Sequence, residues 1–319
     1  MTKQRVLVTS NDVSPAGIEL LKAKFDLTII PAAISTREQV LQALPGHDAI
    51  FVASHHAINK ELLDIAGPNL KVVSTMSAGY DHLDVPEIKK RGIKVGNTPN
   101  VLTAAVAEIA VMLTLSAARR AHEGRIQIIE NKWQPRPQWM LGRDLRGSTV
   151  GIVGLGNIGL ATVKLLIPFG VGRFIYTGHS RKQAGDDLGA SFVSLPELLR
   201  ESDFVIVSTP LTNETLDMFN DETFAQMKNT AVLVNVGRGP VVNTDALVKA
   251  LRNHTIFAAG LDVMNPEPLP CDHPLLSLPN AVIIPHLGSA TVQTRSDMST
   301  TAAQNIINAL EGRPLVYEL

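Results

Sequence analysis

Cysteine is almost absent. The 319 residues contain one, Cys271, which excludes an intramolecular disulfide and a multi-cysteine zinc site and fits a reducing compartment. The Cys271-Asp272-His273 cluster has no second cluster to complete a metal site, so no metal is expected. Net charge is also small: 29 Lys and Arg stand against 30 Asp and Glu. The broad basic footprint that neutralises nucleic-acid phosphates is missing, and no nucleic-acid partner is expected. No stretch approaches the roughly 20 apolar residues of a membrane span. Met1 to Ser10 lead directly into a short apolar strand, without the apolar region and cleavage site of a signal peptide. The C-terminal Tyr317-Glu318-Leu319 is not the peroxisomal tripeptide. These absences point to a cytoplasmic protein that does not engage a membrane.

What remains is a globular composition, 45% hydrophobic and 18% charged, at a length suited to two α/β domains. Apolar, β-rich runs at Arg5–Ser10, Asp26–Ile30, Ala49–Ser54, Leu70–Met76 and Ile93–Asn97 alternate with helical patterns and predict a small doubly wound, flavodoxin-like domain. A second series, Thr149–Gly154, Phe174–Thr177, Phe204–Ser208, Ala231–Val236, Ala258–Val263 and Val282–His286, predicts a six-stranded Rossmann-type domain. The fold class is thus α/β with two doubly wound parallel sheets. A last helix, Thr291–Leu310, is expected to return to the first lobe. The predicted division is residues 1–100 with 287–319 as a discontinuous substrate-binding domain, and 101–286 as the dinucleotide-binding domain. Thr103–Ala118 predicts a helix too apolar for one exposed face. It serves as a core helix, a connector or a dimer contact. Trp133–Leu145 reads as an irregular loop.

The run Val150-Gly151-Ile152-Val153-Gly154-Leu155-Gly156-Asn157-Ile158-Gly159 places a glycine fingerprint between a β-branched strand and a helix. Gly154 permits the tight turn, Gly156 lets backbone approach a pyrophosphate, and Gly159 lets helix and strand pack closely. NAD-specific sites carry a carboxylate at the end of the second strand, where the ribose 2′-hydroxyl binds. Here that end reads Tyr176-Thr177-Gly178-His179-Ser180-Arg181-Lys182, with no carboxylate. Ser180, Arg181 and Lys182 offer charge-assisted hydrogen bonds to a 2′-phosphate, and NADP(H) is the expected cofactor. A solvated basic turn is the plainer alternative.

Three further motifs fall at strand C-termini, where open α/β sheets bind ligands. Asn235-Val236-Gly237-Arg238-Gly239 projects an arginine, with glycines on both sides expected to leave room for ligand. Asp262-Val263-Met264-Asn265-Pro266-Glu267-Pro268 supplies a carboxylate and Ile284-Pro285-His286-Leu287-Gly288 an imidazole. A carboxylate beside an imidazole favours its protonated form and fixes its tautomer, which suits protonation of the oxygen formed when hydride reaches a carbonyl carbon. In the first lobe, Ser77-Ala78-Gly79-Tyr80-Asp81 is a turn whose N–H groups could hold a carboxylate. A plain strand-to-helix turn is the alternative.

In order and spacing, Gly154-x-Gly156-x-x-Gly159, Asn235-x-x-Arg238-Gly239, Asp262-x-x-x-x-Glu267-Pro268 and Pro285-His286-x-Gly288 resemble the D-isomer-specific 2-hydroxyacid dehydrogenases through nearly the whole chain. Ser74 to Leu83 and the carboxylate-free turn are most similar to members that reduce glyoxylate and hydroxypyruvate. The resemblance implies NADPH-dependent reduction of those keto acids to glycolate and D-glycerate, with His286 as proton donor, Glu267 as its orienting partner and Arg238 as substrate anchor. It also implies that Ala78, Gly79 and Ser289 lie at the substrate. Gly154, Gly156, Asn157, Ile158, Gly159, His179 to Lys182, Val236, Asp262 and Gly288 would then line the cofactor site, in a homodimer. The Trp133–Trp139 loop departs from the pattern, so neither tryptophan receives a role. Another 2-hydroxyacid dehydrogenase, with pocket size set by loops such as Ser54–Ala57, is one alternative. A nucleotide-sensing corepressor-type binding protein is another.

Overall fold

Short aliphatic strands buried on both faces must be joined by crossover helices, and the hand of that crossover yields parallel sheets with helices on each side. The computed structural model, which describes residues 3–53 and 56–319, contains two such sheets in two compact units. One comprises Met1–Leu102 and Ser289–Leu319, the other Thr103–Gly288.

The discontinuous unit runs β1 (Arg5–Val8), α1 (Pro15–Lys22), β2 (Asp26–Ile29), α2 (Arg37–Ala43), β3 (Ala49–Val52), α3 (Lys60–Ala66), β4 (Val72–Thr75), α4 (Val85–Lys90) and β5 (Lys94–Gly96). Its five strands are parallel in the order β2-β1-β3-β4-β5, the flavodoxin-like arrangement. β3 and β4 are buried at every position, as central strands covered on both faces require. The C-terminal helix Val292–Leu310, capped by Thr291 Oγ1 accepting from Thr294 N–H, packs on α1 and β4. Gly17 makes that crossing close: a Cβ there would lie 2.4 Å from the carbonyl oxygen of Ser299.

The continuous unit opens with α5 (Thr103–Ala118) and α6 (Ala121–Ile129). It continues through β6 (Thr149–Val153), α7 (Asn157–Leu166), β7 (Arg173–Thr177), α8 (Gln183–Asp186), β8 (Ala190–Phe192), α9 (Leu195–Glu201) and β9 (Phe204–Val207). α10 (Asp221–Gln226), β10 (Val232–Asn235), α11 (Thr244–Arg252), β11 (Ala258–Leu261) and β12 (Ala281–Ile283) complete it. The C-terminal helix is therefore α12. The parallel order is β12-β11-β10-β9-β6-β7-β8, so chain direction across the sheet reverses between β6 and β9.

The sheet has seven strands where the sequence pattern predicts six. The missed strand, β8, is a three-residue edge strand with Ser191 and Phe192 exposed, too short and too solvated to give an apolar run. α5 has the predicted limits. It buries Val106, Ala110, Leu113 and Ala117 against α7, β10 and β11, with Gly260 of β11 leaving only 2.9 Å between a notional Cβ and Leu113 Cβ. α6 buries none of its residues. Among the described residues no helix is long and apolar enough to cross a membrane.

Candidate active site

The three glycines of the fingerprint have three different surroundings. Gly154 adopts φ +90°, a conformation L side chains avoid, and a Cβ would meet the Thr209 backbone at 2.9 Å. Gly159 faces the strand it follows: a Cβ would sit 2.7 Å from Gly154 O and 3.0 Å from Ile152 Cγ2. Gly156 differs, with nothing within 4 Å of its notional Cβ. It is the N-cap of α7, and no side chain caps that terminus, whereas Thr36, Asn59, Asp84, Ser194, Asn220 and Asn243 cap theirs. An open, uncapped helix N-terminus at the point where strand order reverses fits a dinucleotide pyrophosphate. Ser208 and Thr209, which no sequence motif marks, close this turn from β9; Ser208 Oγ donates to Gly154 O at 2.7 Å. Their signal was only a Ser-Thr-Pro turn after an apolar strand.

Beyond β7, Gly178 to Lys182 are all exposed. The turn is braced from below by buried Tyr176, whose phenol accepts from Lys182 N–H at 2.7 Å and donates to Lys182 O at 3.3 Å. No carboxylate lies within the turn, yet two approach it. Arg181 Nε donates to both oxygens of Asp186 at 3.1 and 3.0 Å, and this pairing holds the guanidinium pKa above its ordinary value. Glu214 lies 3.8 Å from His179 Nδ1. Both contacts are solvent-exposed, and such pairs are weak.

Arg238 follows β10. Its terminal nitrogen donates to Gly237 O at 2.9 Å, and its own carbonyl accepts from Asn235 Nδ2 at 3.0 Å. Fully buried Asn235 also accepts from Gly237 N–H at 3.0 Å, so this amide, not singled out from sequence, shapes the bend that presents the arginine. The flanking glycines do not leave room for ligand. A Cβ on Gly237 would lie 2.6 Å from Thr209 O, and one on Gly239 1.9 Å from Met264 O. Both are small because neighbouring backbone packs on them.

Asp262 and Glu267 hold the loop after β12 and its histidine. β12 ends at Ile283, so His286 is not the strand residue the pattern suggested. Pro285, lacking an N–H, cannot extend the ladder, and His286 turns into the left-handed region at φ +54°. That conformation is held by His286 N–H donating to Asp262 O at 2.9 Å. The buried Asp262 carboxylate accepts from Leu287 N–H at 2.6 Å and Gly288 N–H at 3.0 Å. Burial pushes the Asp262 carboxyl above the usual aspartate range, against these N–H groups and the charge of His286. Glu267 Oε1 accepts from Met264 N–H at 2.8 Å, while His286 Nδ1 lies 2.9 Å from Oε2. Burial alone would raise the Glu267 pKa, but the hydrogen bonds from His286 and Met264 and the charges of His286 and Arg238 outweigh it, leaving it below the ordinary glutamate value. A ring that donates Nδ1–H to this carboxylate presents Nε2 as its other nitrogen.

The remaining named residues have plain positions. Val236 is buried, with its N–H on Val207 O. Asn157 and Ile158 form the first turn of α7. In the discontinuous unit, Ala78 and Gly79 are half-buried in the turn after β4, and Ser289 O accepts from Thr291 N–H ahead of α12. Ser54 and His55 of the Ser54–Ala57 loop lie outside the described residues. Among the described residues no group of three or more His, Cys, Asp or Glu side chains could hold a metal ion.

A glycine turn with an open helix N-terminus, in one doubly wound unit with an arginine, a carboxylate and a histidine in the segments that follow β10, β11 and β12, marks a dinucleotide-dependent oxidoreductase. Residues 111–288 match the sequence profile of the D-isomer specific 2-hydroxyacid dehydrogenase NAD binding domain, and the chain belongs to that family. It is 50% identical to the glyoxylate reductase/hydroxypyruvate reductase of Homo sapiens over 276 residues, 86% of this chain and 84% of that one. Among solved structures, a Thermus thermophilus protein superposes with TM-score 0.92 at 40% identity, covering 99% of this chain and 100% of its own. An NADPH-dependent glyoxylate/hydroxypyruvate reductase from Sinorhizobium meliloti, solved with NADP and malonate, gives TM-score 0.86 at 33% identity, covering 100% of this chain and 97% of its own.

Proposed function

We propose that this protein is an NADPH-dependent reductase of glyoxylate and hydroxypyruvate, forming glycolate and D-glycerate. The observation that carries the reading is the 2.9 Å pair of His286 Nδ1 with Glu267 Oε2, in the unit that holds the glycine turn. Gly154, Gly156 and Gly159 with the first turn of α7 hold the dinucleotide, and Val236, Asp262 and Gly288 complete its site. When bound, the reduced nicotinamide supplies a hydride to C2 of the keto acid. His286 delivers a proton from Nε2 to the carbonyl oxygen, and Glu267 fixes the tautomer and offsets the imidazolium charge. Arg238 anchors the substrate carboxylate and polarises the carbonyl. Ala78 and Gly79 offer backbone N–H groups to a substrate carboxylate, and Ser289 is a further substrate contact.

The NADP(H) preference rests on the exposed Ser180, Arg181 and Lys182 and on the absence of a carboxylate within the turn itself. A 2′-phosphate competes with Asp186 for Arg181. The family relative from Sinorhizobium meliloti, described as NADPH-dependent and solved with NADP, agrees with this reading. A homodimer is supported by α6, which buries nothing, and by the apolar side chains exposed on it and after it: Ile128 at 62%, Ile129 at 66% and Trp133 at 67%.

The test is loss of nicotinamide absorbance with NADPH or NADH against glyoxylate, hydroxypyruvate and pyruvate, with His286→Ala as control. Turnover of the first two, faster with NADPH and abolished in the variant, is expected. Tight NADPH binding without turnover of any keto acid would refute the reading. Light scattering on the same preparation should give twice the chain mass.

A further inference from the structure

The Ser77-Ala78-Gly79-Tyr80 turn is held in an unusual manner: three consecutive carbonyl groups are each engaged by a different donor. Ser77 O accepts from Thr98 N–H at 2.9 Å, Ala78 O from Asn97 Nδ2 at 2.8 Å, and Gly79 O from Ser77 Oγ at 2.7 Å. Among the described residues, none accepts from the N–H groups of Ala78 and Gly79. A trans peptide directs its C=O and the following N–H to opposite sides. Each engaged carbonyl therefore turns the next N–H away from the donor it meets, and the Asn97 bond turns the N–H of Gly79 away from Asn97.

Asn97 is itself fixed. It is 4% exposed, directly after β5, and its carbonyl accepts from Asn305 Nδ2 at 3.1 Å. Asn305, fully buried on α12, places Nδ2 3.4 Å from Ser74 Oγ and accepts at Oδ1 from Val316 N–H at 2.9 Å and Tyr317 N–H at 3.1 Å. Gly96 permits this approach, since a Cβ there would lie 2.8 Å from Asn305 Nδ2.

On the strength of the reductase reading above, we infer that Asn97, supported by Asn305, is a positioning residue for the substrate carboxylate, acting through the Ala78–Gly79 peptide. Asn97 has no part in the proton or hydride step. An anchor of this kind binds ground state and transition state alike, so its loss raises KM and leaves kcat. A hydrogen bond to a charged group is worth about 1.5–3 kcal/mol, which is about a ten- to hundredfold change in binding.

The experiment is steady-state kinetics of Asn97→Ala and Asn97→Asp with glyoxylate and NADPH. KM for glyoxylate should rise at least about tenfold, with kcat within about threefold and KM for NADPH unchanged. Ser77→Ala, which frees only the half-buried end of the clamp, should shift the same constant by less and guards against misfolding of the Asn97 variants. A glyoxylate KM within about twofold of the unsubstituted enzyme in every folded variant, or a parallel rise in KM for NADPH, would overturn the inference. Absence of keto-acid turnover by the unsubstituted enzyme would instead remove the reading on which it rests, and the inference with it.

Discussion

At the scale of single residues, one imidazole is constrained from three directions. Its Nδ1 meets Glu267, its backbone N–H is spent on Asp262 O, and the two residues after it are tied to the Asp262 carboxylate. Glu267→Gln keeps the shape of the pair and removes its charge. Because general acid catalysis contributes about 10²–10⁴-fold, kcat for glyoxylate reduction should fall by about 10²-fold, with NADPH affinity preserved. Stopped-flow hydride transfer beside a fluorescence titration of the cofactor would check both. Equal losses in rate and cofactor affinity would mean that Glu267 supports the loop and not the proton.

Among the elements, the glycines divide into those packed against backbone and the one that is open. Gly156→Ala should fold with a thermal midpoint close to that of the unsubstituted chain and bind dinucleotide weakly, since its added methyl meets nothing in the protein and stands where a phosphate must approach. Gly159→Ala forces helix and strand apart and should lower stability by about 1–3 kcal/mol. Calorimetry with a cofactor titration separates the two, and similar melting for both would contradict this division. Gly17→Ala makes the same kind of clash where α1 crosses α12. A loss of about 1–3 kcal/mol in urea unfolding is expected, with cofactor affinity unchanged because the site of Gly156 is in the other unit.

For the whole molecule, acid stability should depend on a buried histidine outside the candidate site. His47, 1% exposed, places Nδ1 at 3.1 Å from Leu44 O and Nε2 at 2.8 Å from Thr28 Oγ1. A neutral ring that donates to the carbonyl and accepts from the hydroxyl satisfies both contacts. Burial is the main cause holding its pKa below the ordinary histidine value. The unfolded chain therefore binds this proton more readily than the folded one, so the stabilising contribution is complete above about pH 6.5 and is lost as pH falls through the depressed folded value. Thermal midpoints recorded from pH 8 to pH 5 should decline toward acid, and His47→Gln should flatten that decline while lowering the neutral-pH midpoint. An unaltered slope would assign the acid sensitivity to other groups.

Much of the fold is written in local chemistry. Alternating apolar strands and helices dictate parallel sheets, a glycine fingerprint between strand and helix marks the dinucleotide turn, and the order of Arg238, Glu267 and His286 places each in the loop after a successive strand, because those signals are carried by residues adjacent in the chain. The edge strand β8 escaped because three solvated residues leave no apolar run. Packing against residues distant in sequence decided the rest. Gly237 and Gly239 are small for the sake of Thr209 and Met264. The left-handed turn at His286 depends on Asp262. Asn97 and Asn305, more than 200 positions apart, join only because β5 and α12 lie side by side in one unit. A buried amide is specified by its partners, and partners brought together by folding leave no pattern along the chain.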